Sequence, residues 1–254
     1  MRRLALGVVV ALALAGCASP AGRGTPASGT PEGASTVTVF AAASLGGVFT
    51  ALGKRFEAQH PGVSVDFNFG GSSGLAAQIV QGAPADVFAA ASPDTMRTVL
   101  DAGFATDPSV FATNTLQIAV PAGNPGAVTS LADLADAGLT VALCAPEVPC
   151  GAAAAAVLSA AGVTASVDTL EQDVTAVLTK VELDEADAGL VYRTDVLAAG
   201  AKVEGVDIPG AENAPNDYPI AALDGASTAA GSFVAYVLSA EGGSTLEAAG
   251  FGSP

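Results

Sequence analysis

The chain of 254 residues is long enough for one large or two modest globular domains, has 13% charged residues and no Trp, and carries a formal net charge of -16. That charge argues against nucleic acid and anionic membrane surfaces as partners, since both call for basic patches. It does not exclude a small anion. A desolvated anion is governed by the N–H and O–H donors around it, while surface carboxylates beyond about 10 Å are screened.

Arg2-Arg3 is a positive start, and Leu4 to Leu14 is an apolar run too short to span a bilayer by itself. Leu14-Ala15-Gly16-Cys17 follows and resembles the lipobox of bacterial lipoproteins, in which the chain is cut before the Cys and the thiol carries lipid. A plain secretory signal cut elsewhere is the alternative. Residues 1–16 are accordingly expected to be a lipoprotein signal peptide. Residues 17–35, rich in Pro, Gly, Ser, Thr and Ala, are expected to be a flexible tether on a lipidated Cys17. The protein is expected to be exported and held at the outer face of the cell membrane.

Two Cys remain, Cys144 and Cys150, an even pair in an oxidising compartment. A bridge between them would close a short loop, for which the chain-entropy model gives about 2 kcal/mol; two free thiols are the alternative. With one His beside them, zinc is not expected.

In chain order, Val37 to Phe40 reads as a short buried strand running through Ala41-Ala42-Ala43 to Ser44, placed as a helix N-cap. Leu45, Val48, Phe49, Leu52 and Phe56 then fall on one helical face. His60-Pro61-Gly62 is a turn, with His60 a surface residue, and residues 63–69 alternate as a second strand. Gly70-Gly71-Ser72-Ser73-Gly74 leads into a helix with Leu75, Ile79 and Val80. Residues 86–90 form a third strand, and Ser92-Pro93-Asp94 starts another helix. Residues 115–120 and 139–143 read as strands, with a short helix capped by Ser130 between them, and an alanine-rich helix spans 152–161. A helix carrying Val174, Val177, Leu178 and Val181 precedes the strand 188–192. Strands at 202–208 and 218–223 and two closing helices complete the chain, and the acids at 182–187 are expected in a solvated loop.

Strands alternating with helices mean α/β with a largely parallel sheet. The extended passages near 115–120 and 218–223 look like crossings between two lobes with a hinged cleft. In such sheets ligands sit beyond the carboxyl ends of the strands. The loops there read Ala43-Ser44, Gly71-Ser72-Ser73, Pro149-Cys150-Gly151, Asp173-Val174 and Val191-Tyr192. Small residues let backbone N–H groups approach a ligand, and Ser and Tyr add hydroxyl donors. A neutral donor set suits an anion that is fully ionised at neutral pH and disfavours catalysis, so no enzyme is expected.

From about residue 36 to its C-terminus the chain resembles the molybdate-binding proteins of bacterial molybdate ABC importers. The resemblance rests on VTVFAAASL (37–45), Ser-Ser-x-Leu-Ala-x-Gln-Ile (72–79), GAPADVF (82–88), PEVPCG (146–151), EQDV (171–174) and GLVY (189–192). It implies a two-lobed class II periplasmic-binding-protein fold, with two mixed, mostly parallel sheets flanked by helices. Residues 36–117 plus 221–254 would form lobe 1, and 118–220 lobe 2. It also implies that molybdate or tungstate is bound from both lobes by neutral hydrogen bonds and delivered to a membrane permease by a monomeric receptor, with no cofactor and no direct metal-ion ligand. Ser44 and Ser72 would give hydroxyls, Cys150 and Val174 backbone N–H groups, and Tyr192 its phenol. Two departures from the family pattern stand out: many relatives have Ala or another small residue at Cys150, and Gly70-Gly71 replaces a more Ser-rich loop. Sulfate or another tetrahedral oxyanion in the same fold is the nearer alternative. A serine hydrolase is a remote one, because the chain has one poorly placed His and no G-x-S-x-G.

Overall fold

The computed structural model describes residues 35–254. The expected signal peptide, the lipidated Cys17 and the tether up to residue 34 lie outside the described residues. Ser35, read from the sequence as the end of the tether, opens the first strand and donates its N–H to the Gly62 carbonyl at 2.9 Å.

The first passage runs β1 (Ser35–Ala42), α1 (Gly46–Gln59), β2 (Val63–Gly70), α2 (Ser72–Val80), β3 (Val87–Ala89), α3 (Pro93–Asp101) and β4 (Ser109–Asn114). The second runs β5 (Leu116–Pro121), β6 (Val141–Cys144), α4 (Pro149–Ala161), β7 (Val167–Glu171), α5 (Val174–Glu182), β8 (Ala188–Tyr192), α6 (Arg193–Ala199) and β9 (Val203–Val206). The chain then returns through β10 (Asn216–Ala222) to α7 (Thr228–Val237) and α8 (Ala240–Ala248).

Two five-stranded sheets result, ordered β2-β1-β3-β10-β4 and β7-β6-β8-β5-β9. In each, three neighbouring strands are parallel, and one reversed strand (β10 or β5) pairs antiparallel on both sides. The two lobes therefore share one plan. The chain leaves the first sheet at Thr115 and has rejoined it by Asn216. The boundaries read from the sequence, after 117 and 220, fall later than both crossings. Asn216 and Asp217 interrupt the apolar pattern there and mask the start of the returning strand.

The apolar face read for α1 packs inward, with Leu45, Val48, Phe49, Leu52 and Phe56 all buried. Phe49 and Phe56 meet Phe233 of α7 edge-on, at centroid distances of 6.3 and 5.3 Å, an arrangement favoured for aromatic pairs. On the other side of the first sheet, Leu75, Ile79, Met96 and Val99 of α2 and α3 pack beneath Phe40 and Phe88. This two-sided burial fixes the strand ends, and with them the loops between β1 and α1 and between β2 and α2.

Three helix starts show why the chain turns where it does. Ser92 caps α3 by accepting from the Thr95 N–H at 3.2 Å, with Pro93 in the first helical turn. Asp173 caps α5 by accepting from the Ala176 N–H at 2.9 Å. Ser130 and Asp133 form a capping box on a short 3-10 helix, Leu131–Ala135. Ser44 departs from its expected role. A 3-10 turn, Ala43–Leu45, precedes α1, and Ser44 lies inside it, so its hydroxyl is not used as a helix cap.

Candidate functional site

Where the carboxyl ends of the two sheets face one another, the chain lines a small cavity of about 20 Å³. The space admits a small solute. The first sheet supplies residues 42–44, 70–72 and Ala91; the second supplies 148–150, Asp173, Val174 and Tyr192. Ser44, Ser72, Cys150, Val174 and Tyr192, the five residues named from the sequence, all line it.

The donors arise from local structure. Ser72, Cys150 and Val174 each stand in the first turn of a helix, where no carbonyl one turn back exists to accept the backbone N–H. Three positive helix ends thus converge on one cavity. Helix α4 begins at Pro149, three residues earlier than the sequence reading, and this places the Cys150 amide in the first turn rather than in a loop. Gly151 is needed there: a Cβ would collide with the Ala145 backbone.

The hydroxyls are held from behind. Ser72 is buried, and its Oγ accepts from the Ala91 N–H at 3.0 Å. Ser44 Oγ lies 3.0 Å from the Tyr218 hydroxyl. Tyr192 Oη accepts from Asn216 Nδ2 at 3.1 Å, and its ring meets Tyr218 edge-on at 5.8 Å. Burial, more than the nearby Asp195, pushes the Tyr192 phenol well above its ordinary value of 10, so it remains a neutral donor near pH 7. Tyr218 is raised for the same first reason. No Lys or Arg is among the described residues lining the cavity, and its one acid, Asp173, is engaged in capping α5.

Behind Tyr192, the carboxylate of Asp195 accepts the Tyr192 N–H at 2.9 Å. Desolvation raises this carboxyl to about 7 against the lowering effect of that bond, and Asp173 adds a smaller upward push.

Cys144 and Cys150 form a disulfide with Cα atoms 5.7 Å apart, tying the end of β6 to the first turn of α4. The loop it closes reaches across the cleft, where Ser73 Oγ donates to the Glu147 carbonyl at 2.6 Å. Gly71 packs against the Gln172 carbonyl from the opposite sheet. The two lobes are in contact around the cavity.

Sequence reasoning missed Asn216 and Tyr218. Their signal was present: residues two apart on a strand share a face, so a strand begun at 216 presents both side chains together.

The model for "Bacterial extracellular solute-binding protein" matches residues 37–252. The chain belongs to this family. The molybdate-binding protein ModA of Mycobacterium tuberculosis is 45% identical over 257 residues, covering 99% of this chain and 98% of that one. Escherichia coli ModA, also named a molybdate-binding protein, is 33% identical over 76% of this chain and 79% of its own length. Among solved structures, the Azotobacter vinelandii periplasmic molybdate-binding protein superposes with a TM-score of 0.75 at 24% identity, over 86% of this chain and 99% of that chain. The sulfate-binding protein SubI of M. tuberculosis superposes with a TM-score of 0.77 at 20% identity, over 85% and 86%. These structural likenesses establish the two-lobed periplasmic-binding fold. As in its family, the chain's role is solute binding.

Proposed function

We propose that this protein is the receptor of a molybdate ABC importer, catching molybdate, and tungstate with it, between its two lobes and handing it to a membrane permease. One observation carries the reading. Neutral donors from both sheets, with no cationic side chain among the described residues lining it, converge on a small cavity. Such a set stabilises a dianion by dipoles and hydroxyl protons without neutralising it, which leaves the anion free to depart when the lobes part. The 45% identity to a named molybdate-binding protein over nearly the whole of both chains supports molybdate as the solute.

In this reading Ser44, Ser72 and Tyr192 donate hydroxyl protons, and Cys150 and Val174 donate backbone N–H groups. The two lobes close as a hinge about the crossings near Thr115 and Asn216. The receptor acts as a monomer, needs no cofactor and carries out no reaction. Cys17 carries the lipid that holds the exported protein at the outer face of the membrane. The name of a Bacillus subtilis relative, "Putative ABC transporter substrate-binding lipoprotein YvgL", 34% identical over 82% of this chain, favours that anchor.

Calorimetric titration of residues 18–254 with molybdate, tungstate, sulfate and phosphate tests the proposal. Tight binding of the first two alone is expected. Equal binding of sulfate would make the protein a general oxyanion receptor, and silence from all four would refute the reading.

A further inference from the structure

Asn216 opens β10 beside the crossing between the lobes, and its side chain is half-buried. Its Nδ2 donates to two oxygens, the Ala91 carbonyl and Tyr192 Oη, the second at 3.1 Å. Because a carbonyl can only accept, the Ala91 contact fixes which way the amide is turned. One amide proton goes to Ala91 and the other to the phenol oxygen. The Ala91 N–H, on the other side of the same residue, donates to Ser72 Oγ at 3.0 Å. A single backbone residue therefore supports a hydroxyl from each lobe, directly at Ser72 and through Asn216 at Tyr192.

A hydroxyl has one proton to give. Once its oxygen accepts from the protein, the proton is what remains to offer to a ligand. We infer that Asn216 is a positioning residue for oxyanion binding: by donating to Tyr192 Oη from the Ala91 carbonyl of the opposite lobe, it commits the phenol proton to the ligand and links the lobes at the ligand's edge. The ligand class this favours is a tetrahedral oxyanion that accepts at every oxygen and brings no proton of its own. The inference rests on the oxyanion-receptor reading and adds a residue that does not line the cavity.

The test is a double-mutant cycle on residues 18–254, titrated with molybdate, with thermal unfolding recorded for each variant. In the wild-type background Asn216→Ala is expected to weaken binding about tenfold, as for loss of one well-oriented hydrogen bond to a charged partner. In the Tyr192→Phe background the same change is expected to cost less than about twofold, since the group it positions is gone. Asn216→Asp keeps the shape, and its carboxylate accepts the phenol proton, so it is expected to weaken molybdate binding at least as much as Asn216→Ala. Equal losses from Asn216→Ala in both backgrounds would overturn the inference, as would full affinity in Asn216→Asp. Wild-type protein that binds no oxyanion would overturn the functional reading together with this one. Wild-type protein that binds while the cycle shows no coupling would overturn this inference alone.

Discussion

Ser72 and Tyr192 are both almost fully buried, and each oxygen accepts an N–H behind it, which leaves its proton to offer to a ligand. Hydrogen bonds to a charged partner are worth about 1–3 kcal/mol, so Ser72→Ala and Tyr192→Phe are each expected to weaken molybdate binding roughly 10- to 100-fold. Calorimetry on variants shown to be folded reads this; unchanged affinity in both would displace the site. Ser72→Ala also strips the Ala91 N–H of its acceptor, and Tyr192→Phe strips Asn216 Nδ2 of one, so both are expected to lower the melting temperature. Asp195 makes a prediction about pH. An unfolded Asp ionises near 3.8, while burial holds this one near 7, so between those values the native state keeps a proton that the unfolded state has lost. Native stability from this group therefore falls as pH rises from about 4 to 7 and is flat above. Asp195→Asn is expected to flatten that slope in melting temperatures measured from pH 5 to 8, and an unchanged slope would contradict the assignment.

The loop from β6 to α4 carries two tasks on seven residues: it presents the Cys150 amide to the cavity and the Glu147 carbonyl to Ser73. The Cys144–Cys150 bridge holds both ends of that loop. Replacing both cysteines by Ala is expected to cost about 2 kcal/mol of stability, the chain-entropy value for so short a loop, and to weaken binding. A melting temperature that does not move on reduction would show that packing alone holds the loop. At this scale the sequence was legible where periodicity and caps agreed. The inward face of α1, the Ser92-Pro93 start of α3 and the strand ending in Tyr192 all stand where the residues put them. It was less legible at edges. β7 is an edge strand with Val167 and Leu170 exposed by 40% and 54%, so it lacks the one-sided apolar pattern that marks a half-buried strand. Ser44 looked like a cap because it follows a strand and precedes an apolar helix. The small residues before it allow a tighter 3-10 turn, and that turn frees its hydroxyl to meet Tyr218. The five positions that the family resemblance implied sit at or beyond strand ends and line the cavity. Asn216 and Tyr218 were missed, because they act from a strand's interior face.

Across the molecule, polar contacts, the Tyr192–Tyr218 ring pair and a close approach of Gly71 to the Gln172 carbonyl join the lobes. Gly71 has ordinary extended dihedrals, φ -61° and ψ 125°, so Ala at this position strains nothing within its own lobe. Its methyl would instead strike the opposite lobe. Gly71→Ala is therefore expected to lower affinity for the oxyanion while leaving the unfolding free energy of the ligand-free protein within about 0.5 kcal/mol of wild type, as for surface substitutions. An unchanged affinity would mean that binding does not need this degree of closure. The overall charge of -16 acts at long range only, and screening at about 8–10 Å leaves the buried donors to set affinity. Anomalous diffraction from crystals grown with tungstate gives the anion's position directly, since the heavy atom marks itself. One peak within hydrogen-bonding reach of the Ser44, Ser72 and Tyr192 hydroxyls and the Cys150 and Val174 amides is expected. A protein that binds tungstate in solution but shows its peak away from that cavity would contradict the account.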